Sequence, residues 1–133
     1  MNLSGITAAV PAQDLSRAEA FYLEKVGLQP VKSEFLNASD GRVGIAIGDG
    51  ASQFVIYPAE ARSSGEFLQA VLQVADVRAV VEEMRGRGVA FEEYDTAETQ
   101  TENGVARSPD GREAAWFKDS EGNLIGVVSA LAG

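Results

Sequence analysis

Any chemistry in this chain has to be done without imidazole or thiol. Its 133 residues include no histidine and no cysteine. Serine–histidine and cysteine–histidine nucleophiles are therefore excluded, together with disulfides and thiolate metal sites. The commonest metal ligand and the commonest general base near neutral pH go with them. Carboxylates, hydroxyls, amides, guanidiniums and aromatic rings remain. Glu34 and Glu113 fall on expected strands and are candidate bases, a role that would require a pKa raised by burial. The run Glu92-Glu93-Tyr94-Asp95 could set a carboxylate at a cavity mouth and attract a cation, although a solvated turn explains it as well. Arg107 and Arg112 flank a polar segment and could meet either an acidic ligand or surface carboxylates. GIAIGDG lacks the Lys-Ser/Thr of a phosphate-binding loop, and a hairpin accounts for its glycines.

Bulk properties narrow the classes further. Twenty acidic residues against eleven basic ones give a formal charge of −9. A nucleic-acid backbone calls for a basic patch, so no nucleic-acid partner is expected. No apolar run is long enough to span a bilayer, and MNLSGITAAV lacks a basic stretch followed by an apolar one. The sequence therefore reads as cytoplasmic, with no membrane partner. Its length fits one compact domain.

The elements that would position these residues come from a repeat. Asp40 to Tyr57 and Asp110 to Val128 align at a constant offset of 70, with DGR on DGR and Asp49 on Asp119. The same offset sets Gln53-Phe54-Val55-Ile56 on Asn123-Leu124-Ile125-Gly126. Each copy reads as a hairpin, with Asp-Gly pairs suited to tight turns. Upstream, Ser4 to Val10 reads as a strand ended by Pro11. Asp14 is an N-cap for a helix carrying Leu15, Ala18, Phe21 and Tyr22, and Gly27 stops that helix. Gln29 to Leu36 is a strand, Asn37 to Gly41 a turn, and Arg42 to Tyr57 the first hairpin.

The order then restarts. Phe67 to Val74 is a strand, Asp76 an N-cap, and Val77, Val80, Val81 and Met84 an apolar helical stripe ending at Gly88. Val89 to Glu93 is a short strand, Thr96 to Ser108 a polar mobile loop or lid, and Arg112 to Val128 the second hairpin. The expected architecture is α+β. Two tandem β-α-β-β-β modules, 1–57 and 66–133 with a linker at 58–65, form a curled mixed sheet around a cavity. Helices cover the outer face.

Two stretches, ITAAVPAQDLSRAEAFYLEKVGL and AAWFKDSEGNLIGVV, carry a resemblance to the vicinal oxygen chelate superfamily. That group includes glyoxalase I, extradiol dioxygenases and bleomycin-resistance proteins. Ser120 and Glu121 stand where the closing hairpin of the family has Pro-Asp. Metalloenzyme members hold a divalent ion through side chains from both modules. The resemblance puts those positions at Thr7, Ile56, Gln69 and Gly126. Only Gln69 is a plausible ligand there, and one amide with one hydroxyl cannot offset the lost hydration of a divalent ion. No metal and no cofactor are expected.

A cavity without a metal can still bind. Leu124, Gly126 and Val128 share a strand face by parity. Phe54 matches Leu124 in the repeat, and the resemblance turns Trp116 inward, where its counterpart is Ala46. The expected ligand-binding set is Thr7, Phe54, Ile56, Gln69, Trp116, Leu124 and Gly126: apolar and aromatic walls with two neutral polar handles. Trp116 and Phe54 could equally fill the core. The leading function is a metal-free small-molecule binding protein of the glyoxalase/bleomycin-resistance type. The alternatives are a lyase, isomerase or dioxygenase-like enzyme, or an interaction module without a ligand. The resemblance also implies a homodimer.

Overall fold

The computed structural model describes residues 1–31, 44–49 and 52–129. The chain runs β1 (Ala9–Ala12), α1 (Leu15–Phe21), a π-helical turn (Tyr22–Val26), β2 (Gln29–Pro30), β3 (Ile45–Gly48) and β4 (Gln53–Pro58). It continues through β5 (Leu68–Val74), α2 (Val77–Gly86), β6 (Thr101–Glu102), β7 (Val105–Arg107), β8 (Glu113–Lys118) and β9 (Leu124–Ser129). Glu34, the turn at 37–41 and the first DGR lie outside the described residues, as does most of the strand expected at 29–36. No helix among the described residues is long and apolar enough to cross a membrane.

The fold is α+β, as expected, with its mixed strands arranged in two sheets. The first has strand order β1-β4-β3-β2 and the second β5-β9-β8-β7-β6. In each, the strand before the helix returns parallel to the last strand, β1 on β4 and β5 on β9. The remaining pairings are antiparallel. The sheets meet where β1 lies beside β5, and neither closes into a barrel.

Helix starts follow the sequence. The Asp14 carboxylate accepts from the Arg17 N–H at 3.0 Å, and that of Asp76 from the Ala79 N–H at 3.1 Å. Each satisfies a backbone donor that the first helical turn leaves without a partner. Gly27 ends the first helical segment at φ 89°, a left-handed conformation that costs glycine nothing. Pro11 does not end its strand. It sits inside β1, an edge strand, where a missing N–H breaks no ladder. Val89 to Glu93 makes only the bridge Phe91↔Phe117.

The segment 96–108 is not a structureless lid. It folds into the β6–β7 hairpin, turning at Asn103-Gly104 (φ 54° and 80°), and joins β8 through Ala106↔Ala114. Asn-Gly is the dipeptide a tight hairpin turn favours, because both positions take positive φ.

A single core joins both halves. Val10, Ile45, Ile47, Phe54 and Ile56 of the first sheet face the helices, as do Ala70, Ala115, Phe117, Ile125 and Val127 of the second. The Tyr22 ring meets Phe54 edge-on at 5.2 Å, and the neighbouring Phe21 lies 6.2 Å from Phe117. Adjacent residues of one helix thus pack on different sheets. Burying both sheets under α1 removes apolar surface that neither could cover alone.

The repeat holds in the front half and slips by one residue in the hairpins. The first hairpin closes at Gly48↔Gln53 and the second at Lys118↔Leu124. The second turn therefore spans one more residue (124 − 118 against 53 − 48). On β4 the structural counterpart of Gly126 is Val55, and that of Val127 is Ile56. The parallel pairs agree: Val10↔Ile56 matches Leu72↔Val127. Strand side chains alternate faces, so a one-residue slip exchanges them.

Candidate functional site

Two polar assemblies stand out, one buried and one open. The buried one is the turn that joins β8 to β9, Asp119 to Asn123, packed under β1 and α1. The Asp119 carboxylate accepts from the Tyr22 hydroxyl at 2.6 Å and from Asn123 Nδ2 at 2.9 Å. Its other oxygen accepts the N–H groups of Glu121 and Asn123 at 2.8 and 2.9 Å. Asn123 Nδ2 also donates to the Pro11 carbonyl at 2.8 Å.

Glu121, its side chain 1% exposed, takes Arg17 Nε at 2.7 Å, Arg17 Nη2 at 2.9 Å and the Asp14 N–H at 3.1 Å. The bonds from Arg17 hold its carboxyl down at about 2, against the opposing pull of burial. Burial, followed by the charge of Asp119, pushes the Tyr22 phenol well above its usual range. These carboxylates are saturated with donors and Tyr22 keeps its proton, so the assembly is a brace between the two halves. It offers no free base.

The open assembly is a groove of about 1040 Å³ against the second sheet and the β6–β7 hairpin. Trp116, Ala114 and Val128 form its apolar wall, and Thr99, Gln100 and Thr101 line the facing segment. Trp116 is half-buried, and the Tyr94 ring stands edge-on to it at 5.4 Å and 85°. Arginines and glutamates balance along the rim. Arg78, Arg107 and Arg112 face Glu98, Glu102 and Glu113. Arg78 Nε binds Glu113 at 2.6 Å, and Arg112 pairs with Asp110 at 3.1 Å. Glu113 is thus held by a guanidinium instead of being shut among apolar groups.

Of the seven residues expected to bind ligand, only Trp116 lines this groove. Gly126 lies beside it, directly across the β8–β9 pair. A Cβ built there would come within 3.2 Å of Leu68 Cδ1 and 3.7 Å of Trp116 Cδ1, so side chains already fill that space. Leu124 is buried further along the same strand. Phe54 and Ile56 do not face a cavity. Both lie in the core under the helices, turned there by the shorter first hairpin. Thr7 is exposed ahead of β1. Gln69 sits at the irregularity between Leu68 and Ala70, where its Oε1 accepts from the Ser63 hydroxyl at 2.8 Å.

The four positions compared with metal ligands therefore do not converge as a donor set. Replacing Ile56 by its structural equivalent, Val55, supplies another apolar side chain. Among the described residues no three His, Cys, Asp or Glu side chains gather as a cation would require. The residues at these four positions do not fit a divalent metal.

Sequence reasoning missed the role of the 99–108 segment and of Arg78. The signal for the first was Asn103-Gly104 followed by the alternation of Val105, Ala106 and Arg107. Arg78 lies one residue into α2 and carries no local signal. It reaches the groove only through the docking of α2 on the second sheet.

The fold recurs in solved structures. The chain resembles UcmS2 at 21% identity and a TM-score of 0.67, covering 95% of this chain and 98% of that one. It resembles TnmS3, an antibiotic binding protein from Streptomyces sp. CB03234, at 22% identity and a TM-score of 0.63, covering 97% and 98%. A glyoxalase/bleomycin resistance protein/dioxygenase from Alicyclobacillus acidocaldarius matches at 17% identity and a TM-score of 0.66, covering 93% and 89%. No curated protein sequence matches the chain. The family model of the Glyoxalase/Bleomycin resistance protein/Dioxygenase superfamily spans residues 6–127, from just before β1 into β9, and the chain belongs to that superfamily.

Proposed function

We propose that this protein binds a small molecule without a metal, holding a planar apolar ligand in the groove against Trp116. One observation carries the reading. The chain's single tryptophan stands half-buried on the wall of a groove large enough for a drug-sized molecule, instead of inside the core. An indole face exposed beside hydroxyls and amides suits stacking with a few orienting hydrogen bonds. That TnmS3, of the same fold, is an antibiotic binding protein adds support for sequestration as the role. The donor-poor chemistry of the metal-ligand positions favours holding over turnover. Gly126 and Leu124 lie beside the Trp116 wall on the neighbouring strand, and Thr7 and Gln69 lie outside the groove lining.

The protein acts as a homodimer in the cytoplasm, with 58–65 linking two modules of one domain. Phe67, Leu68 and Val71 are 74%, 48% and 43% exposed near one another on and beside β5, an apolar patch that a second copy would cover. Light scattering during size exclusion should give twice the chain mass.

Trp116 fluorescence should be titrated with neutral, cationic and anionic planar aromatics. Saturable quenching by at least one class, lost in Trp116→Leu when followed by the probe's own signal, is expected. Chemical turnover of a bound probe, or quenching by none of them, would overturn the reading.

A further inference from the structure

Tyr94 does not line the groove, yet every contact around it converges on the groove's two walls. Its ring stands edge-on to Trp116 at 5.4 Å and 85°. Its N–H donates to Thr101 Oγ1 at 2.8 Å, and its carbonyl accepts the Thr101 N–H at 2.9 Å. The Thr101 hydroxyl also reaches the Glu93 carboxylate at 3.1 Å. Two residues before Tyr94, the Glu92 N–H donates to the Trp116 carbonyl at 2.8 Å. The segment 92–94 is thus bonded to β8 on one side and to β6 on the other. Trp116 belongs to the apolar wall and Thr101 to the polar one. The Thr101 hydroxyl proton is committed to this clamp, which leaves Thr99 and Gln100 as the free donors facing a ligand.

We infer that Tyr94 is a positioning residue that fixes the attitude of the Trp116 indole and thereby sets which planar molecules fit. An indole on a strand has two torsions, and stacking selects one orientation. On the β9 side Gly126 brings no side chain of its own, and Leu68 and Val71 occupy the space over it. The edge of Tyr94 closes the other side. The clamp ties that edge to the backbone of the facing wall, so the width of the slot and the tilt of the indole are set together. This rests on the proposed reading that Trp116 contacts the ligand.

The test has one arm without a ligand and one with. In the first, time-resolved anisotropy of the single tryptophan is compared in wild type, Tyr94→Phe and Tyr94→Leu, with far-UV circular dichroism and melting as controls for folding. Wild type and Tyr94→Phe should show tumbling alone, and Tyr94→Leu should add a fast local component. Should Tyr94→Leu fail to fold, Tyr94→Met takes its place. A folded variant without the ring and without the fast component would overturn the inference. In the second arm, Nile red is the neutral planar probe. Removal of the ring should weaken binding about two- to tenfold, the worth of one aromatic edge contact, and Tyr94→Phe should restore it. Equal binding by all three would overturn the inference. Failure of the dye and of every other planar probe to bind wild type would sink the proposed function, and the anisotropy arm would still decide the role of Tyr94.

Discussion

Replacing Glu121 by glutamine isolates the brace between the two halves. The carboxylate is held at about 2, against 4.5 for an ordinary glutamate. At 1.36 kcal/mol per pKa unit, that gap corresponds to roughly 3 kcal/mol of stability at neutral pH. Arg17 is 49% exposed, so solvent screens its side of the pair, and about 1–2 kcal/mol is the realistic figure. In Glu121→Gln the amide oxygen accepts as before, but the amide nitrogen faces donors. Melting at pH 7 should fall by roughly 3–8 °C for a domain of this size.

The pH dependence separates charge pairing from simple contact. Because the folded carboxyl titrates below its unfolded value, the stabilisation is fully present above about pH 4.5. It is lost as pH falls through about 2. At pH 2.5 only about a quarter of it should remain. Urea unfolding of wild type and Glu121→Gln at pH 7 and pH 2.5 should therefore show curves that differ at the first pH and nearly converge at the second. An equal difference at both would mean that the variant loses packing and not a charge pair. No difference at pH 7 would mean that Arg17 and Glu121 do not brace the fold.

Two further outcomes follow from the face assignments and the caps. Phe54→Ala should cost about 3–5 kcal/mol in urea unfolding, as core aromatics do, while quenching of Trp116 by planar probes stays unchanged because Phe54 packs on Tyr22 away from the groove. Asp76→Ala should cost about 1 kcal/mol by thermal melting, the worth of the side-chain bond to the Ala79 N–H at the start of α2.

The sequence made the helices legible because their signals are local. Asp14 and Asp76 each sit three residues before the N–H they cap, and Gly27 ends a helical segment by itself. The family and the α+β class were legible for the same reason. The faces of the hairpin strands were not, because a face depends on the count of residues in a turn. DGR and Asp49 align with their copies at one offset, but one additional residue after Asp119 changes the register of everything that follows. Phe54 and Ile56 were thereby exchanged for Val55 as the side chain opposite the helices.

The groove was illegible for a different reason. Its walls come from α2, β6, β7, β8 and β9, and only docking brings Arg78 of α2 near Glu113 of β8. Yet the metal-free reading does not depend on the register. Ile56 and Val55 are equally without donors, and no shift of alignment can supply a histidine or cysteine that the composition lacks. What the chain lacks limits its chemistry, and which side chains wall the groove follows from how it folds. Trp116 is the one residue on which the two meet. It alone among the expected ligand contacts lines the groove, and as the only tryptophan it reports its own occupancy.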